Sequence, residues 1–291
     1  MRFARVLTAM TIALGVTLAM AGSAGALQAS RASRTGGNLY FVSGGYISRV
    51  PAGGGPAVRL VHVGGLSVTG MTIAGGRLYY ATQDNGTISY VPLNGGAAHT
   101  LVSGLDVPVG LVSAGGWLYW ADQNAIGRVR PDGAGLTRRF VVPPREAGGG
   151  VADGLATDGR HLFFSRCQDS EIGEVATSGR GLDPRLVRLP GRACPQALAV
   201  GNDHLYWTEI GGHIGRATLG GRGASGTWLS VRTSQGPFNV AADNAHVIWD
   251  WGGVAGSPMH VGTATAGGTG LRTTFLTGQG AFFLTSPGAN T

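Results

Sequence analysis

The sequence predicts an all-β fold: a six-bladed β-propeller with four antiparallel strands per blade and a ring closed by a C-terminal strand. Three observations carry this prediction. A unit of about 40 residues recurs six times. Glycine fills 53 of 291 positions without a collagen period. The Leu-, Glu- and Lys-rich runs that build helices are missing.

The repeat is anchored by one aromatic strand. Asn38-Leu39-Tyr40-Phe41, Arg77-Leu78-Tyr79-Tyr80, Trp117-Leu118-Tyr119-Trp120, His161-Leu162-Phe163-Phe164, His204-Leu205-Tyr206-Trp207 and His246-Val247-Ile248-Trp249 align without gaps. A four-stranded blade needs about the length between successive anchors. A short apolar strand precedes each aromatic strand, as in Gly70-Met71-Thr72-Ile73 or Ala197-Leu198-Ala199-Val200. An Ile strand follows, marked by Ile47, Ile88, Ile126, Ile172 and Ile214. Gly-rich turns such as Asn94-Gly95-Gly96 then reverse the chain into a fourth strand, as in Arg59-Leu60-Val61 or Leu186-Val187-Arg188.

The ends of the chain are read in the same terms. Arg2 and Arg5 followed by an apolar run and Ala24-Gly25-Ala26 form an export signal over residues 1–26, with the mature chain starting at Leu27. Residues 27–36 are a lead-in, residues 37–287 the propeller and residues 288–291 a tail. The first repeat lacks its own innermost strand, and Ala281-Phe282-Phe283-Leu284-Thr285 is expected to supply it, closing the ring. The product is a secreted or envelope-associated monomer, with no membrane insertion after cleavage.

The formal charge is +7, and the 22 basic residues are all arginine. They are scattered without dense runs or aromatic interleaving, which argues against nucleic-acid binding. Without lysine there is no Walker A phosphate grip and no Schiff-base chemistry. No Gly-x-Ser-x-Gly elbow marks a serine hydrolase.

Leu205-Tyr206-Trp207-Thr208-Glu209, with Ile214-Gly215-Arg216 and Leu219-Gly220-Gly221, resembles the YWTD repeat of lipoprotein-receptor propellers. Tyr119-Trp120-Ala121-Asp122 with Ile126-Gly127-Arg128 is nearly as close, and Ile248-Trp249-Asp250-Trp251 departs further, losing the final acid. The resemblance covers residues 37–286 and implies a six-bladed binding platform of a bacterial secreted type. It implies no particular ligand.

Cys167 and Cys194 are the only cysteines, and their loops emerge on one face of adjacent blades, so a disulfide is geometrically sound in an oxidising compartment. The repeated aromatics are expected in the core between blades. His161, His204 and His246 share a repeat position and hence lie on three blades, too far apart for one metal.

The residues just before each inner strand should ring the channel mouth: Thr69, Val109, Asp153, Gln196, Phe238 and Gly280, with Asn239 beside them. Asp153, Gln196 and Asn239 are the polar members. Arg166, Glu209 and Trp251 are further candidate contacts, Trp251 because it has no counterpart in the other repeats. Catalytic residues, metal ligands and cofactors are not assigned. Calcium at the mouth stays open, although one carboxylate is few for an ion that takes six to eight oxygens. The leading expectation is a non-enzymatic module that holds a peptide, envelope protein or glycan on one face. The alternative is a metal-dependent lactonase-like hydrolase or a lyase with its site at the mouth.

Overall fold

The computed structural model describes residues 38–51, 56–122, 125–144, 154–231, 236–252 and 259–277. The expected leader, lead-in, closing strand and tail lie outside them. The six repeats form six antiparallel sheets arranged as the blades of a ring. Blade 1 holds β1 (Asn38–Ser43), β2 (Tyr46–Pro51) and β3 (Val58–His62). Blade 2 holds β4 (Val68–Ala74), β5 (Arg77–Thr82), β6 (Thr87–Pro92) and β7 (His99–Val102). Blade 3 holds β8 (Val109–Ala114), β9 (Trp117–Ala121), β10 (Ile126–Val129) and β11 (Thr137–Val141). Blade 4 holds β12 (Gly154–Thr157), β13 (His161–Arg166), β14 (Glu171–Ala176) and β15 (Asp183–Arg188). Blade 5 holds β16 (Pro195–Gly201), β17 (His204–Glu209), β18 (His213–Thr218) and β19 (Ser225–Ser230). Blade 6 holds β20 (Val240–Ala242), β21 (His246–Gly252), β22 (Met259–Thr265) and β23 (Arg272–Thr277).

Alternation along the aromatic strand binds successive blades to one another. Side chains on successive residues point to opposite faces of a sheet. Tyr119 of β9 therefore packs with Leu162 and Phe164 of blade 4, while Leu118 and Trp120 pack with Tyr79 and Ile88 of blade 2. The same division unites blades 4 and 5 through Phe163, Ile172, Leu205 and Trp207, and blades 5 and 6 through Tyr206, Ile214, Val247 and Trp249. The aromatics are core residues, as the sequence predicts. Each large side chain so buried contributes about 1.5–3 kcal/mol.

Two recurring motif positions gain a physical reason. The glycine after the Ile anchor lies under an aromatic ring. A Cβ on Gly127 would come within 2.2 Å of the Trp120 ring, and one on Gly215 within 2.0 Å of Trp207. The tyrosine that opens the aromatic pair crosses to the next blade. Tyr79 donates to the Pro131 carbonyl (3.2 Å), Tyr119 to Thr177 (3.1 Å) and Tyr206 to Ala266 (3.3 Å). A buried phenol that finds such an acceptor keeps its apolar ring without stranding its hydroxyl.

Cys167 and Cys194 are disulfide-bonded. The bridge joins the turn after β13 to the segment entering β16, and so staples blade 4 to blade 5 on one face. No helix among the described residues is long and apolar enough to cross a membrane.

Candidate active site

The inner strands β4, β8, β12, β16 and β20 pack side by side around the axis. In each blade the first strand starts, and the second strand ends, on the same face, because the two are antiparallel. That face is the one on which the channel mouth is expected. The inner strands approach closely there: a Cβ on Gly70 would lie 2.6 Å from Leu111 N, and one on Gly154 would lie 2.3 Å from the Gln196 carbonyl oxygen.

Hydroxyl groups clamp one blade to the next at this level. Thr69 donates to the Pro108 carbonyl and Ser165 to the Gln196 carbonyl. Thr208 accepts from Ala197 N (3.2 Å) and donates to the Phe238 carbonyl (3.3 Å). The predicted mouth residues are thus brought to one level, but their polar groups are partly consumed by the scaffold. The Thr69 hydroxyl and the Gln196 and Phe238 carbonyls hold blades together, and the Gln196 and Phe238 side chains remain partly exposed. Asp153 and Gly280 lie outside the described residues.

Blade 6 breaks the pattern. The position held by Gly70, Gly110, Gly154 and Ala197 elsewhere is Asn239, and its cross-strand companion, held by Ala81, Ala121, Ser165 and Thr208 elsewhere, is Asp250. Asn239 N donates to Asp250 Oδ1 (2.8 Å) and Asn239 Nδ2 to Oδ2 (2.9 Å). Asp250 is 1% exposed and Asn239 8%. Burial pushes the Asp250 carboxyl up to about 7, against the opposing pull of the Asn239 donors. A carboxyl that changes charge near neutral pH suits proton transfer. Sequence reasoning picked Asn239 but missed Asp250. The available signal was an acid at a strand-interior position that the other repeats fill with Val, Ala, Ser or Thr.

The other candidates end the second strands on this face. Arg166 is 2% exposed, donates to Glu171 Oε2 (2.9 Å) and the Pro144 carbonyl (3.0 Å), and pairs with Asp169. Glu209 is 5% exposed, accepting from Cys194 N (3.0 Å) and Trp207 Nε1 (2.8 Å), while burial raises its pKa. Both were read as candidate contacts. The structure instead buries them, because each side chain satisfies polar groups that the blade edge would otherwise strand. Trp251 is partly exposed, as expected of a residue outside the repeat.

His161, His204 and His246 each stay within their own blade's turn, beside Asp158 (3.0 Å), the Asn202 carbonyl (2.6 Å) and Asp243 (3.7 Å) respectively. Calcium was left open at the mouth. Both Asp250 oxygens accept hydrogen bonds from Asn239, and the described residues contain no group of three or more His, Cys, Asp or Glu placed to hold an ion. Asp153, the carboxylate expected at that site, lies outside the described residues.

The architecture defines a six-bladed propeller and is similar to solved propellers of several kinds. A structure of the nidogen–laminin complex aligns at 18% identity with a TM-score of 0.64, over 77% of this chain and 89% of that one. A catalytically inactive virginiamycin B lyase from Staphylococcus aureus with quinupristin aligns at 19% identity and TM-score 0.58, over 84% and 86%. A gluconolactonase from Xanthomonas campestris aligns at 18% and 0.56, over 72% and 76%. At these identities the likeness establishes the fold alone. No protein-family model and no curated protein matches the sequence. The expectation of a non-enzymatic binding module is corrected. The similar propellers are mostly enzymes, lyases and a lactonase among them.

Proposed function

We propose that this protein is a secreted enzyme of a YWTD-like bacterial type that opens an ester or lactone bond by acid–base chemistry at the mouth-side end of blade 6. The observation that carries the reading is the Asn239–Asp250 pair, a buried carboxyl where blades 1 to 5 place Val42, Ala81, Ala121, Ser165 and Thr208.

Asp250 is the titrating group. Ionised, it draws a proton from water, whose oxygen bonds the carbonyl carbon as the acyl C–O bond breaks, or from the carbon next to the one bearing the ester oxygen, so that a C=C bond forms as the C–O bond to the departing carboxylate breaks. Protonated, it returns that proton to the leaving oxygen. Asn239 orients the carboxylate through two donors and keeps its pKa from rising further. The fold contributes a rigid ring in which the two residues sit on neighbouring strands with no chain to reorganise.

The test is turnover of a lactone and ester panel by the purified chain and by Asp250→Asn. General acid–base catalysis supplies about 10²–10⁴ in rate, so Asp250→Asn should lower kcat/KM at least about 100-fold with melting unchanged at pH 7 or raised. Equal rates for the two proteins, or no turnover across the panel, would overturn the reading.

A further inference from the structure

On the face opposite the mouth, second strands begin and third strands end. Arginines far apart in the sequence meet there. Arg49 of β2 reaches from blade 1 into blade 2, donating from Nη1 to the Leu93 carbonyl (3.0 Å), and Leu93 N donates to the carbonyl of Gly76 (3.2 Å), the residue before Arg77. The Arg77 guanidinium lies over the Tyr90 ring at 4.5 Å, and Tyr90 tilts against Tyr79 at 5.5 Å. Tyr79 crosses to the Pro131 carbonyl of blade 3 (3.2 Å), beside Arg130. Arg130 and Arg128 share the Trp117 ring, at 5.0 and 4.2 Å, and Arg128 also lies over Phe140 at 3.9 Å. Phe140 meets the blade 4 turn that carries Arg180, since a Cβ on Gly179 would lie 3.0 Å from its ring. The contacts run unbroken from Arg49 to Arg180.

Arg77, Arg130 and Arg180 are exposed, and Arg49 and Arg128 partly so. Among the described residues none of these arginines is in an ion pair. Asp132 is the acid within the row, and it accepts from Ala134 N (2.9 Å). Farther round blade 4, Asp158, Glu174 and Asp183 outnumber Arg160, so the row ends at Arg180. The rings hold the guanidinium groups in place, so that engaging them costs little side-chain entropy.

We propose that this row docks the protein on an acidic polysaccharide carrying a carboxylate in each repeating sugar. A guanidinium fork takes a carboxylate through two parallel hydrogen bonds. The row passes from blade to blade, which matches a partner whose charge repeats along a chain. Nucleic acid fits less well, because the rings that could stack on bases already carry guanidinium groups, and Tyr90 is stacked on His99 besides (5.2 Å, 24°). The docking row is independent of the acid–base reading, since Asp250 lies at the mouth-side end of its blade.

The test measures affinity of the purified chain for polygalacturonate, uncharged dextran and duplex DNA at low and high salt. Polygalacturonate should bind at low salt and weaken steeply as salt rises, dextran should not bind, and DNA should bind more weakly. The double substitution Arg130→Gln/Arg180→Gln should weaken polygalacturonate about three- to twentyfold. Arg188→Gln/Arg192→Gln removes the same charge from exposed positions on the mouth-side face and should leave the affinity unchanged. Melting temperature checks that each variant is folded, and Arg77→Gln gives a second reading within the row should the Arg130 variant melt early. Absence of polygalacturonate binding, equal weakening by the two double variants, or DNA binding as tight as polygalacturonate would overturn the proposal.

Discussion

Asn239 reaches Asp250 twice, once through its backbone N–H at 2.8 Å and once through its side-chain amide at 2.9 Å. The arrangement gives the carboxylate two donors at a buried position. Burial outweighs those donors, which is why the group titrates near neutrality instead of near 4.

That titration has a consequence for stability. In the unfolded chain Asp250 ionises near 3.8, and in the folded chain at about 7. Between those values the folded state holds a proton that the unfolded state has released, so stability falls as pH rises from 4 to 7 and levels off above 7. The loss is on the order of 4 kcal/mol. Asp250→Asn should flatten this part of the profile, since Asn239 can turn its amide to present an acceptor. Melting temperature measured from pH 4 to 8 checks it, and an unchanged slope would show that Asp250 is not the titrating group.

Asn239→Ala leaves the backbone donor and removes the side-chain one. The Asp250 pKa should rise, so the pH at which turnover appears should move to a higher value. Losing the donor should also cost about 1–3 kcal/mol at pH 8. A pH–rate profile and a urea melt report the two effects separately.

The bridge between Cys167 and Cys194 closes a segment with a sequence separation of 27 residues. Removing it by the double substitution to serine should cost about 3 kcal/mol, read as a lower urea midpoint. Cys194 N also holds Glu209, so the variant should show a loosened Trp207 environment by fluorescence.

Gly215→Ala places a methyl group 2.0 Å from the Trp207 ring. Overpacking of this kind costs about 1–3 kcal/mol or more. An alanine at the exposed Gly220, where a Cβ meets nothing within 4 Å, should be close to neutral in the same melt.

Divalent-ion removal tests the mouth directly. With both Asp250 oxygens engaged by Asn239, chelation should leave Asp250-dependent turnover unchanged. Loss of turnover restored by calcium would place an ion there and replace the acid–base role proposed for Asp250.

The repeat was legible in the sequence because every blade must bury the same two faces of the same strand. Leu118-Tyr119-Trp120 and Leu205-Tyr206-Trp207 repeat one packing solution, so the aromatic core, the blade number and the Ile-Gly step follow from spacing alone. The cysteine pair was legible for a similar reason, since loop direction alternates strictly in an up-and-down sheet. What the tertiary structure alone decided is which polar side chains are consumed inside the ring. Arg166 and Glu209 are candidate contacts in the sequence, yet each is buried by contacts from distant segments, Pro144 in one case and Cys194 in the other. Asp250 looks like one more polar residue at a strand end. Its significance comes from the surface packed over it and from Asn239 across the strand, and both are set by the folding of the blade against its neighbours rather than by the order of residues along the chain.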